Sequence, residues 1–91
     1  MTLTYATLTL DLPLIETKKG RRAVTNSIKE RLKNMNCSVL DLSLEYPKEA
    51  AIAIAFLSEN ESSAHKKIEK IEQLIQNRWP HIEASLDYET M

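Results

Sequence analysis

The hydropathy of this chain changes its rhythm again and again, from two residues to about 3.6 and back, which commits it to strands and helices interleaved in one domain. At the N-terminus Ala6, Leu8, Leu10 and Leu12 alternate with Tyr5, Thr7, Thr9 and Asp11, the period of a half-buried strand, and Pro13 stops it. Val24, Ile28, Leu32 and Met35 then recur at helical spacing, predicting a helix from about Arg21 to Asn34, with Asn34 and Asn36 placed to end it. The two-residue period returns after Cys37, where Leu40, Leu42 and Leu44 alternate with Asp41, Ser43 and Glu45. Tyr46-Pro47-Lys48-Glu49 is a turn, because proline presets the backbone angle that a turn needs.

Ala50 to Leu57 is apolar throughout, with Ile52, Ile54 and Phe56 opposite Ala51, Ala53 and Ala55. A strand without polar alternation is covered on both faces or central in its sheet. Residues 58–62 supply a loop and helix caps; Ala64, Ile68, Ile71 and Ile75, with Leu74 beside them, form a second helical stripe ending near Asn77. Trp79-Pro80 closes it, and Ile82, Ala84, Leu86 and Tyr88 alternate as a last strand. Strands are thus expected over 2–12, 38–46, 49–58 and 81–88. The order β-α-β-β-α-β is satisfied economically by an α+β, ferredoxin-like fold: a four-stranded antiparallel sheet with two helices on one face. The expected core is Leu8, Leu10, Val24, Ile28, Leu32, Leu42, Ile54, Phe56, Ile68, Ile71, Ile75 and Leu86. With 91 residues the chain has room for one such domain, spanning 1–91.

Charge is distributed unevenly. Residues 16–35 hold seven of the twelve lysines and arginines against Glu16 and Glu30, a segment of +5 in a chain of net charge −1. Lys18, Lys19, Arg21 and Arg22 crowd the start of the first helix, where cations oppose the helix dipole. Free backbone N–H groups with cations beside them suit a phosphate, so these four residues are the candidate anion or nucleic-acid site. The plainer alternative is a solvated basic turn whose long side chains shield the core.

Thr17-Lys18-Lys19-Gly20-Arg21-Arg22-Ala23-Val24, followed by Ser27-Ile28-Lys29-Glu30-Arg31-Leu32, resembles the opening helix of the YlxP-like family, small bacterial proteins grouped under a domain of unknown function. Cys37-Ser38-Val39 is similar to that family's Val-Ser-Val strand start, and Ala50 to Ser58 to its Ala-rich third strand. Gly20 stands where the family usually has lysine, Thr17 where it has leucine, and the turn from Glu45 to Glu49 lacks a tryptophan often found there. The resemblance implies a ferredoxin-like fold. Genes of such proteins lie in some bacteria beside translation and ribosome-maturation genes, which implies a translation context.

Enzymatic chemistry finds little footing. One cysteine, Cys37, excludes an internal disulfide and multi-cysteine metal sites, and no base is placed to activate it. His65 and His81 are too isolated for a metal, and Glu59 with Glu61, or Glu69 with Glu72, are ordinary solvated carboxylates. No phosphate loop, nucleophile elbow or dinucleotide fingerprint occurs, and Leu14 to Gly20 does not resemble the acylphosphatase cradle. No cofactor is expected. No apolar run approaches the ~18 residues of a membrane span and no secretory signal opens the chain, so a cytoplasmic protein without membrane attachment is expected. RNA recognition on a sheet face needs paired aromatics, and Phe56 alone makes no stacking platform. Two classes of function remain: an anion-binding module contacting RNA or ribosome through the basic cluster, and a protein-interaction or homodimer module. The second would use the sheet face carrying Thr7, Thr9, Ser43, Ala53 and Ser85. A small-molecule regulatory domain is a weaker third.

Overall fold

The computed structural model describes residues 1–91. Its elements run β1 (Thr2–Asp11), α1 (Lys18–Asn34), β2 (Ser38–Asp41), β3 (Glu49–Ser58), α2 (Glu61–Arg78) and β4 (Glu83–Thr90). The four antiparallel strands form one sheet in the order β2-β3-β1-β4, and both helices pack on the same face of it. This is the ferredoxin-like arrangement that the hydropathy rhythm predicts. β3, the uniformly apolar strand, is internal to the sheet, as its pattern requires.

The core lies between sheet and helices. Leu8 and Leu10 of β1, Ile52, Ile54 and Phe56 of β3, Ile28 and Leu32 of α1, and Ile68, Ile71 and Ile75 of α2 are all buried, with Ile28 and Ile71 wholly inaccessible. Burial of each such side chain contributes about 1.5–3 kcal/mol relative to exposure. Val24 and Leu86 are half-buried and pack against this cluster.

Three expectations need correction. First, α1 begins at Lys18 and not at Arg21, because Thr17 caps it: its extended backbone turns the hydroxyl to accept the Gly20 N–H at 3.0 Å. An added Cβ at Gly20 would sit 3.3 Å from that hydroxyl oxygen, so the small residue keeps the cap open.

Second, β2 ends at Asp41 and not at residue 46. The Asp41 Oδ1 accepts the Ser43 N–H at 2.9 Å and the Ser43 Oγ accepts the Ala51 N–H, so side chains take over from the ladder. Only Leu42 N–H to the Ala51 carbonyl continues it.

Third, β2 faces the other way. Asn36 adopts a left-handed backbone (φ 61°) while its N–H and that of Cys37 return to the carbonyls of Lys33 and Leu32. This ending turns Cys37 inward, and alternation then carries Val39 and Asp41 toward the helices and Leu40 and Leu42 away from them. Leu42 is therefore not a core residue: it is 40% exposed, Leu40 63% and Leu44 82%. Smaller differences are one or two residues at strand ends, β4 covering Glu83–Thr90 in place of 81–88.

Candidate functional site

The start of α1 divides the basic cluster in two. Arg21 is buried, and its Nη1 donates to the carbonyl oxygens of Leu44 and Tyr46, each at 2.8 Å, and of Glu49 at 3.3 Å. Lys18 pairs with the Glu45 carboxylate, which the Lys18 ammonium holds below the ordinary carboxylate range through a hydrogen bond and direct attraction. Lys48 donates to the Pro13 carbonyl and its own carbonyl accepts the Leu12 N–H. Two of the four candidate cations thus fasten the β2–β3 loop: Lys18 pairs with a carboxylate, and the Nη1 of Arg21 is taken up by backbone carbonyls. Lys19 and Arg22 remain exposed. Helical spacing separates Arg21 from Arg22, since Arg21 falls on the stripe with Thr25, Ile28 and Leu32 that α1 buries, but the carbonyls it reaches lie 23 to 28 residues away.

The sheet face opposite the helices is the larger surface. In antiparallel pairing, residues opposite one another share a face. The register aligns Tyr5 with Ala55 and Glu89, Thr7 with Ala53 and Asp87, and Thr9 with Ala51 and Ser85. Leu40 joins the Thr7 row through Ala53, and Leu42 the Thr9 row through Ala51. At one end Leu3 pairs with Leu57 and bonds through its backbone to Met91 in both directions. Leu3, Tyr5, Leu40, Leu42, Leu57 and Met91 are all exposed, so this face is more apolar than the threonines and serines in the sequence imply. Asp11, Glu49, Glu83, Asp87 and Glu89 rim it. None of the four strands contains a lysine or arginine.

Other singled-out residues are quiet. Cys37 is buried, and burial pushes its thiol up while Lys67 pulls it partly down. The His65 Nδ1 lies 2.5 Å from the Tyr88 hydroxyl with the rings edge to face. No group of three or more His, Cys, Asp or Glu side chains is arranged to hold a metal. No helix is long and apolar enough to cross a membrane. Half-buried Asp41 faces α1 with Lys29 Nζ 3.9 Å away. Burial raises its carboxyl, but hydrogen bonds from Ser43, the Lys29 charge and Thr25 outweigh this and hold it below the ordinary carboxylate range.

Residues 3–87 match the family model described as "Protein of unknown function (DUF503)". The chain belongs to the DUF503 family. No curated protein matches it. Several solved structures share the fold of this DUF503 chain at low identity. The de novo designed protein Foldit4 superposes with a TM-score of 0.61 and 12% identity, covering 100% of this chain and 99% of that one. The NE2512 protein of unknown function from Nitrosomonas europaea gives 0.58 and 15%, covering 100% and 90%. A dimeric ferredoxin-like protein from an uncultured marine organism gives 0.50 and 11%, covering 98% and 92%. At these identities the likeness concerns the fold alone.

Proposed function

We propose that this protein is a non-catalytic association module whose open sheet face packs against a second copy of the chain. The observation that carries this reading is the inverted β2, which puts Leu40 and Leu42 on the face that the helices leave bare, the face that also carries Leu3, Tyr5 and Leu57, with Ala51, Ala53 and Ala55 between them. Exposed apolar patches of this kind mark association surfaces. Two strands of ten residues, one of eight and one of four give a face of roughly 500 Å², so two copies would bury about 1,000 Å², the threshold for a specific interface. Symmetric pairs are the commonest oligomers, and the similar marine protein is itself described as dimeric.

RNA or ribosome contact through Lys18, Lys19, Arg21 and Arg22, the translation context implied by the YlxP-like resemblance, is the less favoured reading. Only Lys19 and Arg22 are unengaged, and the sheet face is acidic where an RNA-binding domain is basic. Sedimentation equilibrium tests the preferred reading. The full chain is expected at twice its 10.4 kDa, and Leu40→Glu with Leu57→Glu at 10.4 kDa with an unchanged circular dichroism spectrum. A wild-type monomer at high concentration, or a dimer indifferent to the two substitutions, overturns it.

A further inference from the structure

On the helix side of the sheet, turned away from the proposed dimer face, α2 borders a groove of about 550 Å³ lined by Lys66, Lys67, Lys70, Ser58, Ser63 and Glu59. The end of α1 closes it with Met35, its one apolar wall. Ser63, Lys67 and Lys70 succeed one another at helical spacing, with Lys66 beside Lys67, so one stripe of α2 presents three ammonium groups to the same space.

Three features distinguish this stripe from an ordinary solvated face. Lys66 and Lys70 are four residues apart, the spacing at which like charges repel on a helix. None of the three lysines has a carboxylate within 4.0 Å, since the ion pairs of the chain are Lys18–Glu45 and Lys29–Asp41. Lys67 is also held in place, its Nζ 4.6 Å from the centroid of the Phe56 ring. Three lysines, one of them fixed between two that repel, outweigh the single carboxylate of Glu59 in a lining that also holds two serines, a balance that suits an anion with several oxygens.

We propose that this groove binds the phosphate groups of a small soluble polyphosphate. Its volume lies within the roughly 300–1,000 Å³ of small-molecule sites. With one apolar residue in the lining, it offers nothing to grip a base or an acyl chain, so recognition rests on charge and on serine hydroxyls. From Lys66 to Lys70 the helix advances only about 6 Å, which suits adjoining phosphates better than the several-nucleotide track of a single strand.

The test is an amide chemical-shift titration of the full chain at low ionic strength with three probes: inorganic pyrophosphate, a nucleoside triphosphate and a short single-stranded RNA. Saturable shifts are expected at residues 58–70 with both polyphosphates, and Lys67→Gln with Lys70→Gln should weaken pyrophosphate roughly tenfold or more. Thermal unfolding of that variant should match the wild type, and Lys19→Gln with Arg22→Gln should leave the affinity unchanged. The proposal is overturned by an absence of saturable shifts, by shifts centred on Lys19 and Arg22, by a Lys67/Lys70 variant that binds as well, or by binding of RNA alone. None of these outcomes bears on the mass in solution, so failure here leaves the dimer reading standing and the converse.

Discussion

The Nη1 of Arg21 lies 2.8 Å from the carbonyl oxygen of Tyr46, a residue 25 positions further along the chain, and this one contact joins the first turn of α1 to the loop between β2 and β3. The same nitrogen reaches Leu44 and Glu49, so a single side chain satisfies carbonyls across a loop that the short β2 leaves without a ladder. Arg21→Met should therefore destabilise the fold by about 2–3 kcal/mol, since partly buried carbonyls would lose a charged donor. Arg21→Lys should recover only part of this, because an ammonium lacks the planar fork. Urea unfolding monitored by circular dichroism measures both. Arg22→Met, at an exposed position one residue away, should change stability by less than about 0.5 kcal/mol.

Asp41 gives the fold a dependence on acid. Its carboxyl is held below the ordinary carboxylate range in the folded chain, so the unfolded chain binds a proton first as the pH falls. The stability it contributes is complete above the unfolded value and is lost as the pH drops through the folded one. Asp41→Asn should lower stability near neutral pH and flatten the stability curve below pH about 4. Chemical unfolding midpoints measured across that interval report the difference, and parallel curves for the two proteins would refute it.

Thr4 is wholly buried in β1, and its Oγ1 has no hydrogen-bond partner. A hydroxyl taken from water without a partner costs about 1–3 kcal/mol, whereas valine fills the same shape without that cost. Thr4→Val should raise the unfolding midpoint at an unchanged denaturant slope. A lowered midpoint would place a hydrogen bond at this hydroxyl.

The dimer should respond to salt in the opposite sense to a nucleic-acid complex. Pairing two faces brings together two sets of Asp11, Glu49, Glu83, Asp87 and Glu89 with no strand cation between them. Screening of that repulsion should tighten the dimer as ionic strength rises from low values. Phosphate contacts by Lys or Arg weaken under the same change. Sedimentation equilibrium across a salt series separates the two, and a dimer loosened by salt would point to a different interface.

The element order and most of the core were legible in the sequence because both rest on local periodicity. Ile28, Leu32, Ile68, Ile71 and Ile75 recur at helical intervals, and nothing distant can change which side of a helix they share. The facing of β2 was not legible, since Leu40, Leu42 and Leu44 imitate a core stripe and Asp41 imitates a solvent residue. The deciding signal lies just upstream of the strand: Asn36, the ordinary non-glycine choice for a left-handed helix ending, fixes which way Cys37 points. At the basic cluster, composition exposed the excess of charge but not its use. Whether a cation meets water or three carbonyls is settled by a loop more than twenty residues off, and acidic neighbours in the sequence mask the common stripe of the groove lysines.

The sheet order carries a kinetic consequence. β1 has no neighbour close in sequence: it pairs Thr2 with Ser58 on one side and Thr4 with Thr90 on the other. Only β2 and β3 are joined by a short connection and can form a local hairpin. The first strand must wait, unpaired, until loops of some forty to ninety residues close around it, each doubling of loop length adding about 0.6 kcal/mol to the entropic cost. A helix-flanked hairpin is then the natural template on which β1 docks last, which puts folding in the slower range set by distant pairings. Until it docks, the apolar alternation of Leu8, Leu10 and Leu12 is the part of the nascent fold most open to wrong partners.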